Sequence, residues 1–288
     1  MREFIIATDS CCDFTAPLIE EMELTVVPLS VLLGADSFRN VPGEGPDPQT
    51  FYQRLERGES AQTSAPNVAL FKELLRPHLV AGKDILFLAF SSALSATYQN
   101  ATIAADELRE EFPEAQIVVI DTLCASLGQG LMVDLAVEQR RQGKSLDEVR
   151  AFVLEELQHI DHWFTVGDLK HLRRGGRLSA GKAILGSLLH IKPVMHTDFD
   201  GKLKPADTVK GRRKSLVSLV DKMGELMLPV EQKVYICHSD CLEDAQFVAE
   251  QVKERFQPKS VTIVPIGPVI GAHTGRNTVG LFFQGQHR

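Results

Sequence analysis

The chain has 288 residues, and 31 Lys and Arg stand against 38 Asp and Glu, which gives a formal net charge of −7. This balance argues against a duplex-DNA binder, whose affinity depends on Lys and Arg, and against non-specific adhesion to anionic membranes; stable membrane insertion is not expected either, since no long apolar run is present. The length suits two domains. Five cysteines, an odd number, and a start without a secretory leader predict reduced thiols in a cytoplasmic protein. No apolar run approaches the roughly 18 residues of a membrane span.

Strands and helices alternate in the first half of the sequence. Continuous apolar runs predict strands at Phe4–Ala7, Leu24–Leu33, Ile85–Phe90 and Ile117–Ile120. Helical periodicity predicts helices at Asn67–Leu79, Leu94–Glu111 and Gly128–Gln142. Apolar strands separated by amphipathic helices indicate a parallel sheet that is covered on both faces.

The pattern changes near Asp161, so we expect an α/β domain at residues 1–160 and a second one at 161–288. The second domain is predicted to be smaller, with a mixed sheet. Its predicted strands are Trp163–Val166, Lys192–His196, Val234–His238, Val261–Ile266 and Val279–Phe283. Its predicted helices are Asp168–Arg173, Ala180–Leu189, Lys210–Met227 and Leu242–Phe256, and a turn is expected at 198–201.

Small polar residues follow three of the strands in the first half. These are Thr8-Asp9-Ser10, Ser91-Ser92 and Asp121-Thr122. In open parallel sheets, ligands bind beyond the carboxyl ends of the strands, so the three groups would line one edge. The alternative is that each is a helix N-cap, which Ser, Thr and Asp favour.

The pair Ser91-Ser92 precedes the helix expected from Leu94, where free backbone N–H groups and the helix dipole favour an oxyanion. A second hydroxyl pair, Thr63-Ser64, precedes the helix expected from Asn67 and could face the first. Neither segment carries a nearby general base, and the Gly-x-Ser-x-Gly pattern is absent, so a serine nucleophile is poorly supported.

Two glycine-rich segments carry charged or titratable residues. Gly176 to Lys182 has the spacing of a phosphate-binding P-loop, but Ala183 stands where Ser or Thr would hold Mg²⁺. We therefore favour a tight turn that presents arginines to an anion or a partner. The turn Gly267–Gly275 carries His273, which could complete a carboxylate site, although a lone histidine is more often structural. The segment Cys237–Cys241 lacks the further ligands of a zinc site, so no metal is expected.

Together these segments resemble the DegV family of bacterial fatty-acid-binding proteins along essentially the whole chain. The resemblance rests on segments whose order and spacing match. They are Thr8–Ser10, Val27–Leu29, Thr63–Pro66, Ser91–Gln99, Asp121–Gly130, Leu169–Ser179, Ile191–Pro193 and Gly267–Gly275.

The resemblance implies a three-layer parallel α/β domain, a smaller two-layer domain, and one long-chain fatty acid such as palmitate, stearate or oleate in a tunnel between them. It implies no catalytic residue, cofactor or nucleic-acid partner, and a separate ATP-binding kinase subunit that phosphorylates the presented carboxylate. The residues implied at the carboxylate are Thr63, Ser64, Ser91, Ser92, Arg177 and His273, with Asp9, Ser10, Leu94, Gly271 and Thr274 lining the site or nearby.

Two alternatives stay open at this point. One is an autonomous serine hydrolase or P-loop-like kinase. The other concerns the basic residues Arg173, Arg174, Arg212 and Arg213, which could dock the kinase or form only a solvated rim. The sequence also departs from the family pattern at Ala65, Ala96, Lys210 and Arg276-Asn277, so tunnel shape and docking are less defined than the ligand class.

Overall fold

The computed structural model describes residues 2–178 and 191–288. The expected helix Ala180–Leu189 and the stretch from Ser179 to Ala183 lie outside the described residues. The strands are β1 Phe4–Asp9, β2 Thr25–Val27, β3 Ser30–Leu33, β4 Asp36–Arg39, β5 Ala61–Ser64, β6 Asp84–Ala89, β7 Ile117–Asp121, β8 Ile160–Thr165, β9 Ile191–Thr197, β10 Leu203–Lys210, β11 Lys233–His238, β12 Ser260–Pro265 and β13 Val279–Gln284. The helices are α1 Ala16–Glu21, α2 Pro48–Glu56, α3 Val68–Val80, α4 Thr97–Glu111, α5 Leu127–Arg141, α6 Leu146–Glu156, α7 Lys170–Arg174, α8 Arg212–Leu226, α9 Leu242–Phe256 and α10 Pro268–Thr274.

The first sheet is parallel, with the strand order β2-β1-β6-β7, and helices cover both of its faces. Alternate residues of each strand point to opposite faces. Ile5 and Phe87 therefore pack with α3 and α4, whereas Ile6 and Leu86 pack with α5 and α6. This confirms the three-layer α/β arrangement that the continuous apolar strands predicted.

Helix α5 lies between the first sheet and the second. All residues from Leu127 to Val137 are buried, because the helix packs on β1 and β6 on one side and on β8, β11 and β13 on the other. One apolar cluster accordingly contains Ile6 and Leu88 of the first sheet together with Tyr235 and Phe282 of the second.

The second sheet is mixed, with the strand order β10-β9-β8-β13-β11-β12. Only β11 and β12 run parallel; the other neighbours are antiparallel. Helices α8 and α9 cover the outer face, where Leu219, Val248 and Phe283 are buried together. The expected smaller mixed-sheet unit is confirmed, and the turn at 198–201 does connect β9 to β10.

The structure contains a third sheet that the sequence reading missed. The run Leu24–Leu33 was expected to be a single strand, and this was wrong. It divides around Pro28 into β2, in the parallel sheet, and β3, which pairs with β4 and β5 in an antiparallel sheet. Proline lacks the N–H that would continue a strand ladder, and the next N–H, of Leu29, is bonded instead to Ser10 Oγ.

The expected start of helix α4 at Leu94 was also wrong, since the helix begins at Thr97. Residues 91–95 form a turn in which the Leu94 and Ser95 N–H groups donate to the Ser91 carbonyl. Ser95 Oγ then accepts from the Thr97 N–H at the helix start. Helices α1, α2 and α6 had not been expected, and the expectation of a turn at Gly267–Gly275 was wrong, because Pro268–Thr274 form helix α10.

Two remaining features bear on the whole chain. Strands of the first and third sheets come from residues 4–121, and strands of the second from 160–284, but the proposed domain boundary near residue 160 stays a prediction. Within residues 2–178 and 191–288, no helix combines the length and apolar character needed to cross a bilayer.

The close contact between α5 and β8 leads to a stability prediction. A methyl group at Gly128 would collide with the His162 ring. We expect Gly128→Ala to lower the free energy of unfolding by about 1–3 kcal/mol, as overpacking does. Gly224→Ala is the control, because its new methyl would meet only the outer edge of the half-buried Phe256 ring at 3.1 Å. Urea denaturation of both variants measures the difference, and equal stability would contradict the packing described.

Candidate functional site

A cavity lies at the carboxyl edge of the parallel sheet, between that sheet and the inner face of the second. The space between its lining side chains is about 790 Å³, counting the part open to solvent. The wall is largely apolar. Its apolar side chains include Leu29, Phe90, Leu94, Phe164, Leu172, Leu203, Val269 and Phe282.

Polar side chains meet in one part of this wall. Thr63 Oγ1 and His273 Nε2 are 2.8 Å apart and form a hydrogen bond. Arg177 and Ser95 also line the cavity. Thr63 comes from β5 of the third sheet and His273 from α10, so two elements distant in sequence build this polar part.

The double glycine ahead of Arg177 explains how the histidine fits. A side chain at Gly175 would collide with His273 Nδ1, so only glycine lets the imidazole ring approach this backbone. The next residue, Gly176, has φ +69°, in the left-handed region that glycine tolerates. The chain then returns along α7, and Arg177 Nε and Nη1 donate to the carbonyls of Leu94 and Gly175.

The charges of this polar part favour an anion. Arg177 makes no ion pair with an acidic side chain in the part of the chain that the structure describes. Burial, with a smaller effect of the neighbouring Arg177 charge, lowers the pKa of His273 to about 4. This polar part of the wall therefore presents one fixed positive charge and a neutral imidazole that a nearby carboxylate would make easier to protonate.

A second group of polar side chains lines another part of the cavity. Ser126 Oγ donates to Asp13 Oδ2 at 2.6 Å, and Asp13 Oδ1 accepts from the Gly267 N–H. Burial raises the pKa of Asp13 to about 7. His162 accepts from the Ala125 N–H through Nε2, and its Nδ1 is 2.8 Å from the Ile160 carbonyl. These groups satisfy one another, so they hold the wall in place.

The described residues contain no cluster of three or more His, Cys, Asp or Glu that could hold a metal ion. All five cysteines are unpaired thiols. The geometry is thus that of an apolar cavity with an anion-attracting part, which suits an amphipathic acid.

Comparison with known proteins agrees with this geometry. The sequence model of a family described as "Uncharacterised protein, DegV family" matches residues 3–286. The chain belongs to the DegV family. A DegV domain-containing protein of Clostridium perfringens is 40% identical over 286 residues, which cover 99% of this chain and 98% of the relative.

Solved structures of DegV proteins superpose closely on this one. A Thermus thermophilus DegV family protein described as fatty acid binding gives a TM-score of 0.89 at 29% identity, over 99% of this chain and 100% of that one. A stearic-acid-binding protein from Eubacterium ventriosum gives 0.85 at 26% identity, over 97% of each chain. These similarities confirm the resemblance and the fold class drawn from the sequence.

Within this DegV fold, the residues expected at the carboxylate separate into two sets. Thr63, Arg177 and His273 line the cavity together, as do the nearby residues Leu94 and Thr274. The others, Ser64, Ser91 and Ser92, are not among the described lining residues, and their assignment stays a prediction.

The positions of the two serines explain this separation. Ser91 is buried, and its Oγ donates to the Gly201 carbonyl at 2.9 Å, which joins the 91–95 turn to the β9–β10 turn. Ser92 is exposed, and its N–H donates to Asp121 Oδ1. The third serine of the segment, Ser95, lines the cavity instead. Sequence reasoning missed Ser95 because the helix was expected to start before it.

Three further predicted residues support the loops around the cavity. Asp9 accepts from the N–H groups of Cys11 and Phe90, which ties the ends of β1 and β6 together. Ser10 Oγ accepts from the Leu29 N–H. Gly271 packs against the Tyr52 hydroxyl group, where a side chain would not fit.

The arginines expected to dock a partner differ in their surroundings. Arg173 and Arg174 are exposed on α7, beside the segment that leads to Arg177. Arg212 is paired with Asp244 at 2.8 Å. Arg213 is exposed, and its guanidinium lies 3.1 Å from the centre of the Phe247 ring.

The lowered pKa of His273 makes stability depend on pH in a definite direction. The ordinary pKa of 6.5 applies to the unfolded chain, which therefore binds a proton more readily than the folded state with its pKa of about 4. Stability is retained above pH 6.5 and is lost as the pH falls toward 4. Between pH 7.5 and 5, ligand-free wild type should lose up to about 2 kcal/mol more than His273→Gln.

Comparing the two proteins at each pH cancels the opposite effect of Asp13, whose raised pKa stabilises the folded state as the pH falls. Chemical denaturation at both pH values gives the free energies of unfolding. Parallel losses in the two proteins would show that the histidine is not held neutral.

Proposed function

We propose that the cavity binds one long-chain fatty acid, with its carboxylate at Thr63, Ser95, Arg177 and His273. The observation that carries this proposal is the apolar cavity whose wall includes an arginine without an acidic partner among the described residues. A fatty acid supplies both an apolar chain for the wall and a negative charge for the arginine.

The acyl chain supplies most of the binding free energy. Burial is worth about 0.8 kcal/mol per methylene, so a 16-carbon chain such as palmitate offers about 12 kcal/mol before the costs of ordering and association. This favours chains of the length of palmitate, stearate or oleate, since a short acid would lose most of that gain.

The carboxylate is costly to bury unless it is paired and hydrogen-bonded. Arg177 supplies a charge and further N–H donors beyond the two already engaged with carbonyls. Thr63 and Ser95 supply hydroxyls, which can turn from their present partners His273 and Thr97 toward an anion. The structurally similar proteins described as binding fatty acids, from Thermus thermophilus and Eubacterium ventriosum, support this assignment.

The polar part is arranged for binding more than for covalent catalysis. Thr63 and His273 stand at the distance of a nucleophile and its base. However, His273 Nδ1 has no partner in residues 2–178 and 191–288, so the acidic group that would orient a general base is missing there. The Ser91 hydroxyl is already bonded to Gly201. We therefore propose a carrier that presents the carboxylate to a separate ATP-dependent fatty-acid kinase in the cytoplasm.

Substitutions in the polar part test the binding proposal. Thr63→Val should weaken binding of palmitate to the delipidated protein, because the carboxylate loses a hydrogen bond. Arg177→Leu should weaken it by about tenfold or more, because the buried carboxylate loses a charged partner. Titration calorimetry or displacement of a fluorescent fatty acid gives the affinities. Unchanged palmitate affinity in Arg177→Leu would contradict the placement of the carboxylate.

The same titration decides between the serines of the 91–95 turn. Ser95→Ala should weaken palmitate binding several-fold, since it removes a hydrogen bond worth about 0.5–1.5 kcal/mol. Ser92→Ala is the matched variant in the same turn and should leave the affinity unchanged, because its side chain is exposed. The reverse result would return the carboxylate to Ser92.

Presentation to a kinase is tested through the exposed arginines. Arg173→Glu and Arg213→Glu should lower acyl-phosphate formation by the kinase at low salt while leaving the palmitate affinity unchanged. Arg212 is unsuitable, because reversing its charge would also break the pair with Asp244. Arg150→Glu is the control, since Arg150 is exposed on α6 and has no ion pair among the described residues. Loss of palmitate binding in the arginine variants would assign them to the ligand site instead.

A further inference from the structure

One hydroxyl in the cavity wall differs from the others. Six Ser and Thr residues line the cavity, and five of their hydroxyls have hydrogen-bond partners within the protein. The five are Thr63 with His273, Ser95 with Thr97, Ser126 with Asp13, Thr274 with the Ile270 carbonyl, and Thr278 with the carbonyls of Thr274 and Gly275. The sixth, Thr197 Oγ1, has no hydrogen-bond partner among the described residues. The residue is only 2% exposed, so bulk water does not supply the missing bond.

Strand register fixes where this hydroxyl lies. The pairing of Trp163 with His196 and of Phe164 with Met195 continues to place Thr197 opposite His162. His162 in turn pairs with Phe282 on β13. Thr197, His162 and Phe282 therefore form a row across the inner face of the second sheet, and all three line the cavity.

The neighbours of Thr197 in this row cannot satisfy it. Both His162 nitrogens are engaged, Nε2 with the Ala125 N–H and Nδ1 with the Ile160 carbonyl. On its other side, Thr197 pairs with Leu203, whose side chain offers no hydrogen-bonding atom. A buried hydroxyl without a partner lowers stability, and valine would fill the same volume without that cost. The hydroxyl is thus left without a partner on the sheet face that meets the cavity.

We propose that Thr197 makes this cavity a site for long-chain fatty acids that carry a hydrogen-bonding oxygen along the chain, such as hydroxy or oxo acids. This inference rests on the proposed fatty-acid binding and adds a feature of the substrate. A ligand hydroxyl or carbonyl beside Thr197 regains the hydrogen bond it loses on leaving water, and it also satisfies a protein group that is already desolvated. Against the apolar side chains of the wall, the same oxygen would be buried without a partner.

A positional series tests this proposal. Stearic acid and monohydroxystearic acids that differ only in hydroxyl position are titrated into delipidated wild type and Thr197→Val. In wild type, one or two neighbouring isomers should bind about as tightly as stearate, and the remaining isomers at least about tenfold more weakly. In Thr197→Val the favoured isomers should fall to the level of the rest, each compared with stearate in the same variant. Thr197→Ser should retain the preference, because it keeps the hydroxyl.

Thr165→Val is a matched control for the substitution. Thr165 is also fully buried with an unpartnered Oγ1 within the described ranges, but it pairs with Val194 and Val279, which pack with α8 on the outer face of the same sheet. The Thr165→Val variant should therefore keep the wild-type preference among the hydroxystearate isomers.

The outcomes separate the two proposals. Stearate binding without any isomer preference in wild type, or a preference that survives Thr197→Val, overturns the role of Thr197 alone. No binding of stearate or of any isomer overturns the fatty-acid proposal itself. The wild-type series decides the matter even if the valine variant does not fold.

Discussion

A cavity between two sheets imposes one constraint on this protein: every polar group on its wall must find a partner or lose the free energy of its bonds to water. The hydrogen bond between Thr63 and His273 meets that constraint for the Thr63 hydroxyl and for Nε2 of the ring, and burial lowers the pKa of His273 so that the imidazole stays neutral. Arg177 meets it only in part, through two carbonyls, and keeps an uncompensated charge. A fatty-acid carboxylate would compensate that charge. The proposed function therefore follows from which polar groups of the wall have partners within the protein and which do not.

The fold maintains this cavity through contacts that cross between the sheets. Helix α5 packs on both of them, and the close approach of Gly128 to His162 sets how near the second sheet can come. Ser91 joins the turn after β6 to Gly201 in the second sheet, and Asp13 joins Ser126 to Gly267. Because these contacts surround the cavity, the segments that carry Thr63, Arg177 and His273 are held near one another in its wall.

Local sequence patterns predicted much of this arrangement and failed where tertiary contacts decide. The parallel sheet, the mixed sheet and most helices follow from apolar runs and periodicity, and the motifs around Thr63, Arg177 and His273 pointed to residues that do share one cavity. The third sheet escaped detection because Pro28 divides an apparently continuous apolar run. Ser95 was missed because the bonds that delay the helix start are visible only in the folded turn. Thr197 gave no signal, since which strand face meets a cavity depends on how the two sheets pack.

The proposed function depends on an acyl chain that lies in this cavity with its carboxylate at Arg177. Native mass spectrometry of the protein as isolated, compared with its mass after denaturation, tests it most directly. We expect an added mass equal to one long-chain fatty acid per chain, released on denaturation and greatly reduced in Arg177→Leu isolated in parallel. A native mass equal to that of the polypeptide alone, unchanged after incubation with palmitate, would contradict it.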